Sequence, residues 1–195
     1  MPRPLRNLKP ELYHLVTVRT LEALIWMVPS KKLNDVIGGI IARYQEMFGV
    51  AIYTFCVLGN HLHMVLKAEN QNLDMFMENV LREIARRVNW HNKRRGHFWS
   101  RRYDDQVILR EEDLLEAYLY VTTNAVKHGL VPRISAWPGL NCYEQILSET
   151  DRTFPFVHRT REDKNGCALV TRHRLKLTVL PQYRGMGKKK RTSAI

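Results

Sequence analysis

Cysteine is scarce in this chain. There are three in 195 residues (Cys56, Cys142 and Cys167), with no CxxC pair and no Cys/His cluster at zinc-finger spacing. That argues against a disulfide framework or a structural zinc ribbon and favours reduced thiols in a cytosolic protein. Long apolar runs are missing as well. The most apolar short window, LEALIWMVP, is too brief to span a bilayer. The N-terminal MPRPLRNLKPELYHL is basic and has no apolar stretch of signal-peptide length. Repeats and low-complexity tracts are absent too. Two stretches have almost no acid. Residues 82–103 carry eight Lys/Arg against Glu83 alone, and residues 158–195 carry 11 Lys/Arg against Glu162 and Asp163.

The whole chain has 31 Lys+Arg against 19 Asp+Glu, a net charge of +12. Excess gathered into blocks favours a polyanionic partner, usually nucleic acid, over a merely solvated basic surface. The expected location is therefore cytoplasmic and nucleoid-associated. With 45% hydrophobic residues the length suits one compact domain with an appendage. The expected division is a domain over 1–140 and a basic, partly flexible extension over 141–195.

Hydrophobic periodicity supplies the element order. LYHLVTVRT (12–20) alternates and is rich in β-branched and aromatic residues, so a strand is predicted. Residues 30–49 place Leu33, Val36, Ile37, Ile40, Ile41, Tyr44 and Phe48 at helical spacing. Ser30 is positioned to cap that helix and Gly49 to end it, although Gly38-Gly39 inside it weakens the prediction. VAIYTFCVLG (50–59) and NHLHMVLKA (60–68) read as an antiparallel hairpin. A long amphipathic helix is expected over 72–96, a loop entering a strand over 97–109, and a helix over 110–131 with acids first and Lys127 and His128 last. The sum is an α+β, ferredoxin-like βαββαβ antiparallel sheet with two helices on one face, followed by a C-terminal helix. After Pro138 the pattern weakens; 167–180 is a candidate further strand.

The hairpin strand GNHLHMVLK (59–67) carries His61 and His63 one residue apart. A strand sends both imidazoles to one face and Leu62 and Met64 to the other. Two neutral imidazoles side by side suit a shared divalent metal, but a lone His-x-His pair is more often a half-exposed strand. In the last helix Tyr120 and Asn124 lie one turn apart. An Asn carbonyl oxygen is a plausible third ligand for Mg²⁺ or Mn²⁺, and a tyrosine beside it is a candidate nucleophile. Core packing is the commoner role for such a tyrosine, and Tyr118 competes with Tyr120 for either one.

Taken together, NHLHMVLK, FWSRRYDD and YVTTNAVKHGLV resemble, in order and spacing, the motifs of the HUH single-tyrosine transposases. The likeness runs from about residue 12 to about residue 140 and is nearest the REP-associated tyrosine transposase branch. It implies a metal-dependent transposase and DNA nickase. His61 and His63 would hold Mg or Mn, with Asn124 completing the site. Tyr120 would attack single-stranded DNA, giving a 5′-phosphotyrosine link and a free 3′-OH, and rejoining would reverse the step. Hairpin (REP-like) DNA is the implied partner, and a homodimer the usual state of such enzymes. Ala125 stands where the family usually has Pro, and LGNH stands where MPNH is common. Ala favours helix, so the helix is expected to run on smoothly past Asn124.

Candidate DNA contacts are Arg82, Arg86, Lys93, Arg94 and Arg95, then Trp99, Arg101, Arg102 and Tyr103, then Lys127, and Lys188, Lys189, Lys190 and Arg191 in the tail. Aromatics among arginines suit stacking on unpaired bases with phosphate contacts alongside, yet Phe98 and Trp99 fit a core equally well. His14 is expected to be a core or surface residue rather than a support of the metal site, and Glu78 and Glu83 ordinary helix surface. Two other classes stand beside the enzyme: a DNA- or RNA-binding regulator without cleavage, and a metal-dependent phosphohydrolase using water in place of Tyr120.

Overall fold

The computed structural model of the chain describes residues 9–184. The tail residues Lys188, Lys189, Lys190 and Arg191 lie outside them. The chain runs through β1 (Tyr13–Arg19), α1 (Lys31–Phe48), β2 (Ala51–Val57), β3 (His61–Lys67), α2 (Leu73–His91), β4 (Asp104–Ile108), α3 (Glu111–Thr122) and α4 (Asn124–Lys127). It continues through α5 (Tyr143–Ser148), β5 (Arg152–Glu162) and β6 (Ala168–Leu175). The first four strands form one antiparallel sheet in the order β2-β3-β1-β4. This is the ferredoxin-like arrangement, with the two-histidine strand in an interior position. Among the described residues, no helix is long and apolar enough to cross a membrane.

The two faces of the sheet are covered differently because strand side chains alternate. Val16, Val18, Leu62, Met64 and Leu66 face α1 and α2 and form the larger core with Ile37, Ile41, Phe76 and Val80. Val65, Tyr53, Cys56 and Ile108 face the other way, against Leu114, Tyr118 and Val121 of α3. Both predicted caps of α1 are present. Ser30 Oγ accepts from Leu33 N–H at 3.2 Å, and Gly49 takes the left-handed conformation (φ 64°) that ends the helix without a Cβ penalty.

Two predicted boundaries move, and one strand lacks a prediction. Helix α2 stops at His91 rather than Gly96, and the chain turns through Lys93 and Gly96, both at positive φ. The helix expected to run on past Asn124 breaks at Thr123, whose φ/ψ of −92°/4° separates α3 from α4. No proline is needed there. Thr122 and Thr123 donate their hydroxyls to the carbonyls of Tyr118 and Leu119 at 2.8 and 2.7 Å, and such back-bonding bends helices. Finally, β5 gave no strand signal, in part because Pro155 sits inside it. In a two-stranded ribbon every strand is an edge, where proline is tolerated.

The β5–β6 ribbon docks on α1, and the weak Gly38-Gly39 pair explains how. A Cβ on Gly38 would lie 2.6 Å from the Phe154 ring, and one on Gly39 would fall on the Pro155 carbonyl oxygen. The two glycines let a strand backbone approach the helix closely. Phe154, Phe156 and Leu175 thereby join the larger core.

Candidate functional site

His61 and His63 project from β3 toward α3, with ring centroids 4.8 Å apart. Leu62 and Met64 project into the larger core, as the alternation requires. Both imidazoles are buried, at 7% and 4% exposure. Burial, opposed by a hydrogen bond with Asn124 and aided by the Arg19 and His128 charges, pulls the His61 pKa down to about 4. Burial, then the charges of His61, His128 and Arg19, pulls His63 down to about 3. At neutral pH both rings are therefore uncharged, the form that binds metal.

The tautomer of His61 follows from its neighbours. Asn60 donates its amide N–H to the Ala23 carbonyl at 2.8 Å, so its Oδ1 faces His61 Nδ1 at 2.6 Å. Nδ1 must carry the proton, which leaves Nε2 with a bare lone pair. The Ala23 carbonyl belongs to a turn in which Glu22 and Ala23 both hold left-handed backbone, at φ 54° and 55°. His63 Nδ1 in turn lies 2.9 Å from Thr17 Oγ1 across the β1–β3 pair.

Asn124 opens α4 directly above His61. It is fully buried, and its Oδ1 lies 3.3 Å from His61 Nε2. With Nε2 unprotonated, two acceptors face each other, while Asn124 Nδ2 is buried without a partner. A buried polar pair left in this state is costly unless something satisfies it. With the amide oxygen toward the ring, the two lone pairs are a donor set that fits a divalent cation; with the amide turned over, Nδ2 donates to His61 Nε2 and satisfies the pair without one. Among the described residues, no three His, Cys, Asp or Glu side chains group as a metal site. The available donors are thus two imidazoles and one amide oxygen.

Tyr120 and Tyr118 separate cleanly. Tyr118 is buried in the core beneath α3, and desolvation drives its phenol well above the ordinary range. Tyr120 is half-buried, with its ring 5.5 Å from that of His63. Lys127 Nζ lies 4.5 Å from the Tyr120 ring centroid. His61, His63, Tyr120 and His128 share one open cavity of about 700 Å³, walled also by Thr17 and Arg19. Asp104, Asp113 and Glu116 place carboxylates on its rim.

His128 received no sequence assignment, yet its ring stands 5.7 Å from that of His61. The available signal was its spacing of four from Asn124. Asn60, Thr17 and Arg19 were also missed; only the register of β1 against β3 brings the last two to the histidines.

The proposed DNA contacts fall into two groups. Arg101 and Arg102 are exposed beside Arg19 in a cleft of about 380 Å³ that shares Thr17 and Asp104 with the main cavity. Lys127, exposed, lies over the ring of Tyr120, which lines the cavity. Arg82 and Arg86 lie exposed on α2, across the sheet from the histidines, within reach of Glu78 and Glu83. Glu83 is not surface: it is buried and ion-paired to Arg87 at 2.7 Å. Lys93 and Arg95 are exposed just after α2. The Arg94 guanidinium covers the Trp26 ring at 3.3 Å. Trp99 donates its indole N–H to the Leu81 carbonyl, and Phe98 and Tyr103 are buried in the larger core. His14, on the far face, is buried against Asp105 at 2.8 Å and touches nothing in the cavity.

The family model for IS200-like transposases matches residues 11–120 of the chain. A curated Haemophilus influenzae protein, by name a REP-associated tyrosine transposase, is 24% identical over 131 residues, covering 60% of this chain and 74% of that protein. The solved structure of a REP-associated tyrosine transposase bound to a REP hairpin superposes with a TM-score of 0.64. It is 16% identical and covers 76% of this chain and 86% of that one, so the fold is shared. A transposase structure from Deinococcus radiodurans, 16% identical over 61% of this chain and 95% of its own, superposes at only 0.39. The family match ends at Tyr120, so Asn124 and His128 lie beyond it.

Proposed function

The chain belongs to the IS200-like transposase family, and from that premise we propose that it cleaves and rejoins single-stranded DNA through a covalent link to Tyr120. The observation that carries this reading is the meeting of groups from three elements: His61 and His63 from β3 and Tyr120 from α3 line one cavity, and Asn124 of α4, buried behind it, reaches His61 Nε2 at 3.3 Å. The half-buried tyrosine supports nucleophilic work, since its neighbour Tyr118 is spent on packing.

His61 Nε2, His63 and Asn124 Oδ1 would hold a divalent cation, Mg²⁺ or Mn²⁺. Bound there, the cation supplies Lewis-acid polarisation of the scissile phosphate. The remaining chemistry belongs to the chain. Tyr120 Oη forms a bond to phosphorus and the P–O3′ bond breaks, leaving a 5′-phosphotyrosine and a 3′-OH. The phenol proton leaves to solvent and the departing oxygen takes one up. Rejoining is the same exchange reversed, so no nucleotide cofactor is consumed. Lys127, beside the Tyr120 ring, is placed to offset phosphate charge. Asn60 fixes the ring orientation of His61, and Thr17 that of His63. The closeness of His63 and Tyr120 within one chain supports attack in cis.

The relative solved with a REP hairpin suggests the same class of substrate here, a stem-loop with an unpaired flank. Arg19, Arg101 and Arg102 beside the cavity would receive that flank by phosphate contacts. The remaining proposed contacts, on and after α2, do not line the cavity.

The test is incubation with Mn²⁺ and a pool of labelled single-stranded hairpin oligonucleotides, followed by a denaturing protein gel. The expected result is a shifted, protease-sensitive covalent band that is lost in Tyr120→Phe. Cleavage at full rate by Tyr120→Phe refutes the tyrosine mechanism and returns the chemistry to water. Binding without cleavage under several metals returns the chain to a regulator.

A further inference from the structure

The β5–β6 ribbon has no part in the cavity. It is carried by α1, on the far side of the sheet from His61 and His63. Its inner face is fully committed. Phe154, Phe156 and Leu175 are buried, His158 and His173 both contact Thr171 Oγ1, and His173 Nδ1 lies 2.6 Å from Glu46. Gln45 bonds both the N–H and the carbonyl of Lys176, and Arg87 donates to the Val157 carbonyl. The ribbon is thus a fixed platform rather than a loose arm.

The outer face is different. Alternation puts Val157 of β5 outward with Val170, Arg172 and Arg174 of β6, and Arg159 and Arg161 follow in the exposed stretch beyond the break in register. Val157 pairs directly with Val170, both exposed (39% and 52%), so an apolar centre is flanked by arginines. Residues 152–176 carry seven Lys/Arg (Arg152, Arg159, Arg161, Lys164, Arg172, Arg174, Lys176) against Glu162 and Asp163, a net of +5. Among the described residues, no carboxylate lies within ion-pair distance of Arg159, Arg161 or Arg172, and Arg174 reaches Asp151 only at 3.9 Å. None of these arginines is needed to hold the ribbon down.

We infer that the outer face of the β5–β6 ribbon is a second DNA-binding surface, one that takes base-paired DNA in a groove. The inference rests on the reading of the chain as a DNA-processing enzyme. Two physical facts select duplex over unpaired strand. Binding of unpaired bases uses exposed aromatic rings as stacking platforms, and here every aromatic of the ribbon (Phe154, Phe156, His158, His173) is turned inward. A two-stranded ribbon, its strands about 4.8 Å apart, enters a major groove about 12 Å wide. Within that groove arginine reads guanine edges and phosphates, and an apolar centre meets thymine methyl groups. A stem held here would be gripped independently of the strand in the cavity.

The experiment uses the full chain without added metal, so that no cleavage intervenes. The probes are a blunt 20-base-pair duplex and a single-stranded oligonucleotide of equal length, followed by fluorescence anisotropy across a salt series. Arg159→Ala/Arg161→Ala/Arg172→Ala should weaken duplex binding roughly tenfold and lower the salt slope by about 3, while single-strand binding changes less than twofold. The corresponding triple Lys variant keeps the charge and should restore the slope. The assay contains no metal and reads binding alone, so failure of this inference is distinguishable from failure of the tyrosine mechanism. Unchanged duplex affinity and slope in the Ala variant overturn the inference. Equal losses on both probes also overturn it, reducing the patch to general polyanion attraction. Loss of self-association in sedimentation, with duplex binding intact, overturns it in favour of a contact between copies of the chain.

Discussion

Asn60 offers the sharpest test of how the site is built, because its two amide atoms do separable work. Its N–H holds the Ala23 carbonyl at 2.8 Å, and its oxygen receives the His61 Nδ1 proton at 2.6 Å. Asn60→Leu removes both. The buried imidazole N–H loses its acceptor, a cost of about 1–3 kcal/mol, and the bond to Ala23 adds about 1 kcal/mol more. His61 is then free to move its proton to Nε2 and donate to Asn124 Oδ1, which closes both lone pairs to a cation. Loss of such a support residue typically costs 10–100-fold in metal affinity, or about 1.4–2.7 kcal/mol. Asn60→Asp separates the two roles. The carboxylate keeps and strengthens the bond from His61 but sets an acceptor against the Ala23 carbonyl. We expect Mn²⁺ affinity in Asn60→Asp to match or exceed that of the parent, with stability lowered by about 1–3 kcal/mol as the left-handed turn at Glu22 and Ala23 loses its anchor. In Asn60→Leu both properties should fall. Free Mn²⁺ followed by electron paramagnetic resonance, without DNA, gives the affinity, and urea unfolding gives the stability. If Asn60→Leu binds Mn²⁺ as tightly as the parent, or if Asn60→Asp loses as much affinity as Asn60→Leu, the tautomer argument fails.

The remaining predictions concern docking and acid. Gly39→Ala should destabilise the protein by about 1–3 kcal/mol, because the new Cβ meets the Pro155 carbonyl and overpacking outweighs the ~1 kcal/mol that Ala contributes to helix propensity; a higher urea midpoint would mean the ribbon is not seated as described. His61 and His63 have folded pKa values of about 4 and 3, below the ordinary 6.5. The unfolded chain therefore binds more protons below pH 6.5, so stability rises with pH up to that point and falls beneath it by as much as ~1.4 kcal/mol per pH unit per histidine. The loss continues to about pH 4 for His61 and pH 3 for His63. Urea unfolding at pH 7 and 5.5 should show this loss in the parent and a smaller one in His61→Asn/His63→Asn; equal losses would mean the two rings are not neutral by burial.

The sequence by itself determined the element order as far as α3, the four-stranded sheet and the shared face of His61 and His63. These follow from short-range periodicity: alternation in β1 and β3, helical spacing in α1 and α2, and Ser30 and Gly49 at their ends. It also placed Tyr120 and Asn124 one turn apart, although Thr123 breaks the helix between them. Tertiary structure decided what depends on partners distant in the chain. Tyr118 and Tyr120 are indistinguishable by type and spacing; only packing against β2 buries the former, leaving the latter half-exposed at the cavity. Trp99 and Tyr103, attractive as stacking rings in sequence, are respectively anchored to Leu81 and buried in the core. Asn60 became informative through one contact to Ala23, 37 residues away in sequence. The double glycine that weakened the α1 prediction is the seat of a ribbon more than 100 residues downstream, and no local pattern encodes a partner at that distance. Periodicity reports which face of an element is buried; it cannot report what buries it.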